Sequence, residues 1–179
     1  ITIPSSVRSL ESYCFSGCSS LKTISISCSI NGIGDHAFEM SSSITEITLP
    51  SSVRSLKSYC FSGCSSLKKI SISCSINEIE GHAFEGCSSL LEIKIPSSVK
   101  SLKSYCFSGC SSLKKISIPC SINEIGDYAF KECSSLTEIA TSQAEKSFRY
   151  SHFSDYSSPN KVTIPQFINE IGHHAFEGC

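Results

Sequence analysis

The chain has 179 residues, a formal net charge of −1 and only 17% charged side chains. That length allows one ordinary domain with a real core, and the balance lacks the basic excess that neutralising nucleic-acid phosphates requires. No apolar run approaches the roughly 20 residues of a membrane-spanning helix, so no membrane insertion is expected in this segment.

The opening residues, ITIPSSVRSL, lack the charged and apolar regions of a signal peptide. They begin a pattern that returns at Ile1, Ile24, Ile47, Ile70, Ile93, Ile116, Ile139 and Val162, each step 23 residues long without insertion or deletion. A fixed step of about 20 to 29 residues predicts a solenoid, in which one coil cannot bury its apolar face alone. Residues 1–179 are therefore read as a single repeat domain of about eight coils.

Each coil presents its elements in the same order. Repeat three runs Ile47-Thr-Leu49, Val53, Leu56, Cys60-Phe61, Cys64 and Leu67; repeat four runs Ile70-Ser-Ile72, Ile76, Ile79, Ala83-Phe84, Cys87 and Leu90. The Ile-x-Ile unit alternates as a strand packed on one face does. The Val53…Leu56 or Ile76…Ile79 pair suits a second short strand. SYCFSGC or GHAFEGC then allows one helical or 3₁₀ turn and no long helix. Rungs about 4.8 Å apart would stack eight coils into a rod of roughly 38 Å. A 46-residue super-period overlies this, odd coils carrying PSSVxSLxSYCFSGC and even coils xCSINEIxxHAFEGC or close variants.

The pattern LxxIxIxxxIxxIxxxAFxxC, as in Leu67, Ile70, Ile72, Ile76, Ile79, Ala83, Phe84 and Cys87, resembles the BspA-like leucine-rich repeat of the Treponema type. The likeness covers almost the whole chain and is weakest between residues 139 and 161. Pro4, Pro50, Pro96, Pro119 and Pro165 stand where that family often has Pro after the strand. The resemblance implies a right-handed leucine-rich-repeat solenoid of the α/β class, with a parallel sheet on its concave face. It also implies a surface protein of a bacterium or mucosal protist, used in adhesion and protein binding. The family has no shared catalytic residues to carry over.

The twelve cysteines fall in three columns. Cys18, Cys64, Cys87, Cys110, Cys133 and Cys179 share one. Cys14, Cys60 and Cys106 share a second with Ala37, Ala83, Ala129 and Ala175. Cys28, Cys74 and Cys120 share a third, where odd coils have Ser. Exchange of Cys with Ala or Ser describes a small, half-buried slot, whereas a metal ligand replaced by Ala would lose its site. The C-x3-C spacing also misses the zinc-knuckle pattern. Neighbouring rungs bring Cα atoms within disulfide range, so Cys64–Cys87 and Cys110–Cys133 meet the distance requirement. Side chains pointing the same way make the torsion awkward. Buried free thiols are expected, with no metal and no cofactor.

His36, His82 and His174 share a column with Tyr13, Tyr59, Tyr105 and Tyr128. The column either presents a stripe of amphipathic rings to a partner or covers the turn with local hydrogen bonds. On the concave face, Thr23, Glu46, Lys69, Glu92, Lys115, Glu138 and Lys161 alternate in sign from rung to rung, which relieves repulsion between parallel strands. Lys69, Glu92, Lys94 and Lys115 are the candidate partner-binding residues there. The chain has no Trp anchor, so weak or multivalent contact is expected.

Repeat seven, residues 139 to 161, keeps its length but breaks the pattern. Ile139, Phe148 and Phe153 hold apolar columns, while Thr141, Glu145, His152, Tyr156 and Pro159 replace core residues. Buried as drawn, that set would loosen the coil by several kcal/mol. Two readings stay open: a drifting repeat, or a bulged coil presenting Phe148, Arg149, Tyr150, His152 and Tyr156 to a partner. His152 and Asp155 stand three apart but lack a nucleophile in a strained turn, so no enzyme is expected.

The chain stops at Cys179 before the last Leu of its coil, and neither end has a polar cap. A fragment of a longer protein is expected, or chains that associate end to end. The leading reading is a non-enzymatic protein-binding module at the cell surface or secreted, contacting host or matrix proteins. The alternative is an intracellular scaffold in the cytoplasm with reduced cysteines.

Overall fold

A computed structural model describes residues 1–26, 29–141, 164 and 166–179. Twelve short strands follow one another: β1 (Ser9–Leu10), β2 (Gly32–Ile33), β3 (Glu46–Thr48), β4 (Ser55–Leu56), β5 (Lys69–Ser71), β6 (Glu78–Ile79), β7 (Glu92–Lys94), β8 (Ser101–Leu102), β9 (Lys115–Ile118), β10 (Glu124–Ile125), β11 (Glu138–Thr141) and β12 (Glu170–Ile171). They form two parallel ladders. The first holds the Thr2–Ser25 bridge, β3–β5 and β7–β9–β11; the second holds β1–β2–β4–β6 and β8–β10–β12. Ile47 faces Ile70 and Ile93 faces Ile116 in register, so identical positions stack. The molecule is a leucine-rich-repeat solenoid.

Each strand is short because the chain must turn after it. Pro50 follows the first strand of its coil, and its carbonyl accepts a hydrogen bond from the Val53 N–H at 3.2 Å. Pro4, Pro96 and Pro119 do the same for Val7, Val99 and Ile122. Proline cannot donate to a ladder, and it ends the strand there. A serine then ties this corner to the coil before it. The hydroxyls of Ser75 and Ser121 donate to the Val53 and Val99 carbonyls at 3.1 and 2.8 Å, and Ser52 and Ser98 do likewise to Ile30 and Ile76.

The turn expected to be helical or 3₁₀ is neither; no helix is present among the described residues. In the third coil the N–H groups of Cys60, Ser62 and Cys64 bond to carbonyls three residues back, while those of Tyr59, Phe61 and Gly63 cross to Gly81, Ala83 and Glu85 of the next coil. Alternate groups thus serve the turn and the ladder, so all are paired. Tyr59 reaches this geometry at φ 58° and Gly63 at φ 70°. A left-handed residue every fourth position stops helix propagation.

The core lies between the ladders. Phe38, Phe61, Phe84, Phe107 and Phe130 are fully buried, and with Phe15 and Phe176 they form one stack at 5.2 to 5.6 Å between centroids. Such ring pairs add about 0.5–1.5 kcal/mol each beyond area burial.

One step departs from one rung per 23 residues. β12 pairs directly with β10, Glu124 opposite Glu170 and Ile125 opposite Ile171. In the first ladder, β11 of repeat seven pairs with β9 in the ordinary register. The last described coil therefore combines the first strand of repeat seven with the second strand and turn of repeat eight.

Candidate interaction surface

The outward side chains of the first ladder form three rows. Lys68, Leu91 and Lys114 lie just before their strands, joined by backbone hydrogen bonds from the Leu91 N–H to the Lys68 carbonyl and from the Lys114 N–H to the Leu91 carbonyl, 3.5 and 3.0 Å. Next come Glu46, Lys69, Glu92, Lys115 and Glu138, in register across the paired strands. The third row is Thr48, Ser71, Lys94 and Ser117.

This ladder brings the expected residues Lys69, Glu92, Lys94 and Lys115 onto one face, and among the described residues one pair of the alternating charges is in contact. Lys115 Nζ lies 2.7 Å from Glu138 Oε1. Both ends are about half exposed, so the pair contributes only a few tenths of a kcal/mol. Phe148, Arg149, Tyr150, His152 and Tyr156 lie outside the described residues.

The Tyr/His column takes the local alternative. Tyr13, His36, Tyr59, His82, Tyr105, Tyr128 and His174 stack as a continuous series, 4.3 to 4.9 Å between centroids. Each histidine Nδ1 is tied to the glutamate three residues on: His36 to Glu39 at 3.0 Å, His82 to Glu85 at 2.9 Å and His174 to Glu177 at 2.8 Å. Ring faces are thereby spent on one another, and only edges face outward. Sequence reasoning missed that every member stands at positive φ, 53 to 63°.

The described cysteines are free thiols. In the main column the S–H groups of the four buried members donate to the phenylalanine carbonyl of the preceding coil: Cys64 to Phe38, Cys87 to Phe61, Cys110 to Phe84 and Cys133 to Phe107, at 3.1 to 3.2 Å. Ser41 occupies the same column and makes the same bond, to Phe15 at 2.6 Å. That shared bond explains why Ser and Cys exchange there. Burial pushes the Cys64 and Cys133 thiols up to about 12 and raises Cys60, Cys87, Cys106 and Cys110 far above the ordinary value. A buried protonated thiol is a poor nucleophile. The third column differs from expectation: Cys74 and Cys120 are exposed, because they follow the strand at the outer corner, where Ser51 and Ser97 are equally exposed.

The BspA-type leucine-rich repeat region matches in six copies over residues 1–104 and 78–179. A leucine-rich repeat protein from Bacteroides ovatus ATCC 8483 superposes with a TM-score of 0.66 and 27% identity, covering 100% of this chain and 58% of that one. A leucine-rich repeat protein from Eubacterium ventriosum ATCC 27560 gives 0.74 and 27%, covering 99% and 42%. The T. pallidum leucine-rich repeat protein gives 0.58 and 29%, covering 78% and 56%. The chain thus spans about half the length of these structures. No curated protein matches the sequence. With the repeat model extending over its whole length and the stacked coils to match, the chain belongs to the BspA-type leucine-rich repeat proteins.

Proposed function

We propose that this chain is a non-enzymatic protein-binding module that works at the cell surface or after secretion, contacting host or matrix proteins through the exposed face of its first ladder. Leucine-rich repeat domains generally bind proteins, and the observation that carries the reading here is the register placing Lys69, Glu92, Lys94 and Lys115 on one face. Such a surface offers a partner one side chain per rung in each row, the geometry of multivalent contact. The test is binding of the immobilised chain to purified extracellular-matrix proteins, wild type against the triple variant Lys69→Ala, Lys94→Ala, Lys115→Ala. Reduced binding with an unchanged melting curve supports the face; equal binding removes it. Arg149→Ala and Tyr150→Ala form a separate arm for repeat seven.

The intracellular scaffold remains as a second reading because the described cysteines are free thiols, which suits a reducing compartment. Mass spectrometry of the chain isolated from its own cells without reductant separates the two: twelve reduced cysteines favour the cytoplasm and bridged ones the surface. End-to-end self-association belongs to the same proposal. It is tested by sedimentation over a concentration series.

A further inference from the structure

Strand β7 departs from its neighbours at two outward positions. Where the other coils place Lys22, Thr45, Lys68, Lys114 and Thr137, this one has Leu91. Where they place Thr2, Ser25, Thr48, Ser71, Ser117 and Ala140, it has Lys94. Neither departure serves packing, for Leu91 is 47% exposed and Lys94 is exposed outside the strand's buried Ile93 and Ile95. Among the described residues Lys68, Lys94 and Lys114 enter no ion pair. An apolar side chain is therefore set between the rungs of Lys68 and Lys114, and Lys94 adds a further charge at the far end of β7.

We infer that this face, assigned above to partner binding, takes an extended acidic segment of a partner protein that places an apolar side chain on Leu91. The inference rests on that assignment. Lys68 and Lys114 stand two rungs apart, about 9.6 Å at the usual strand spacing, which is about three residues of an extended polyproline II segment at roughly 3.1 Å each. Three residues make one turn of that form, so acids three apart share a side and would meet both lysines, and an apolar residue between them would reach Leu91. Glu46, Glu92 and Glu138 in the neighbouring row argue against a uniform polyanion, because phosphate or sulfate repeated along a polymer meets a carboxylate at every second rung. A peptide can choose its charge at each residue.

The experiment titrates the full chain into the fluorescein-labelled peptide GELSELSEG and follows polarisation, with GKLSKLSKG, GESSESSEG and heparin as comparisons. Two variants restore residues that the repeat itself uses, Leu91→Thr and Lys94→Ser, so the fold is kept and melting curves verify it. The inference expects the acidic leucine peptide to bind and each variant to weaken it about tenfold, as loss of a central anchor does. Equal binding of GESSESSEG overturns the apolar anchor, preferred binding of heparin replaces the peptide with a polyanion, and no binding at millimolar peptide overturns the acidic class. If GKLSKLSKG binds and is lost on Lys69→Ala with Lys115→Ala, the face stands and the acidic partner falls. If GELSELSEG binds but neither the two consensus variants nor that double variant weakens it, the face itself falls.

Discussion

Tyr128 stacks on His174 with ring centroids 4.9 Å apart, although 46 residues separate them. Tyr105 and Tyr128, one repeat apart, stack at 4.7 Å. The Phe130–Phe176 pair and the hydrogen bond from the Phe130 N–H to the Ala175 carbonyl at 2.7 Å follow the same step, as does the bond from the His173 N–H to Asp127 Oδ1. In the second ladder and the turn, repeat eight therefore sits where repeat seven would be counted.

Deleting residues 142–164 joins Thr141 to Pro165 and restores the ordinary succession, with Pro165 in the position of Pro119 and Ile168 in that of Ile122. β11 and β12 would then follow one another as β9 and β10 do. The shortened chain is expected to fold with a melting temperature within a few degrees of the parent, since a change of 1 kcal/mol shifts a domain of this size by about 2–4 °C. Circular dichroism melts check this. Loss of cooperative melting would show that the omitted residues hold the last coil in place.

The fixed 23-residue step made most of the fold legible, because Ile47, Leu67 and Phe84 recur where a stacked core needs them. The sign alternation at Lys115 and Glu138 was legible for the same reason: stacking brings one residue per coil face to face. The skipped rung was not. Repeat seven preserves its length, so no gap marks it, and Thr141, Tyr156 and Pro159 signal a poor coil without saying which strand takes its place. Cys74 and Cys120 misled because serine is as much at home at an exposed corner as in a small slot. At the candidate face, register alone brings Lys69, Glu92, Lys94 and Lys115 together, but Leu91 stands just before its strand, where alternation does not say which way a side chain points, and its exposure is seen only in the fold.

The positive-φ position before the main cysteine column is glycine at Gly17, Gly63, Gly86, Gly109 and Gly178, but Met40 and Glu132 stand there at φ 56 and 59°. A side chain in that region costs roughly 1–2 kcal/mol through its Cβ contact, and glycine removes it at a smaller entropic cost. Both residues are exposed, so little packing is lost. Met40→Gly and Glu132→Gly are each expected to stabilise the chain by about 0.5–1 kcal/mol in urea titrations. Gly63→Ala should do the opposite, since its new Cβ would meet Met40 Sδ. A destabilising Glu132→Gly would contradict the backbone argument.

Six thiols, Cys60, Cys64, Cys87, Cys106, Cys110 and Cys133, are buried, while Cys14, Cys74, Cys120 and Cys179 are exposed. A thiol reagent at neutral pH should label the exposed set within its mixing phase and the buried set only as the chain opens, with peptide mapping to identify each. The same burial makes stability fall in alkali. A thiol whose folded pKa is raised keeps its proton when the unfolded chain has released it, so above the ordinary value of 9.0 unfolding gains free energy as pH rises. Each buried thiol contributes about 1.4 kcal/mol per pH unit, and with six of them unfolding should be complete within one or two units above pH 9. Replacing the four main-column cysteines by serine, as Ser41 already shows feasible, should flatten that slope. An unchanged slope would remove the thiols as its cause.

Lys57 and Glu80 join neighbouring coils by a 2.6 Å contact, and the Ser58 hydroxyl donates to the other Glu80 oxygen at 2.9 Å. Burial alone would push the Glu80 carboxyl up, but the Lys57 and Ser58 hydrogen bonds outweigh it and hold it below its ordinary value. The hydrogen bond to Glu80 raises Lys57 in turn. A depressed carboxylate contributes stability that is present above its unfolded pKa and lost as pH falls through the folded one; a raised lysine contributes below its ordinary pKa and loses that contribution as pH rises through its folded value. Their side chains are 42% and 24% exposed, so screening limits the pair to about 0.5–1 kcal/mol. The lysine limb falls where thiol ionisation already unfolds the chain, which leaves the acid limb as the diagnostic one. Lys57→Met keeps the aliphatic stem and removes the charge. The stability difference from wild type, measured in urea, should hold steady from pH 8 down to roughly pH 5 and shrink below it as the carboxylate is protonated. A difference that persists undiminished in acid would mean that Lys57 acts through its stem and not through its bond to Glu80.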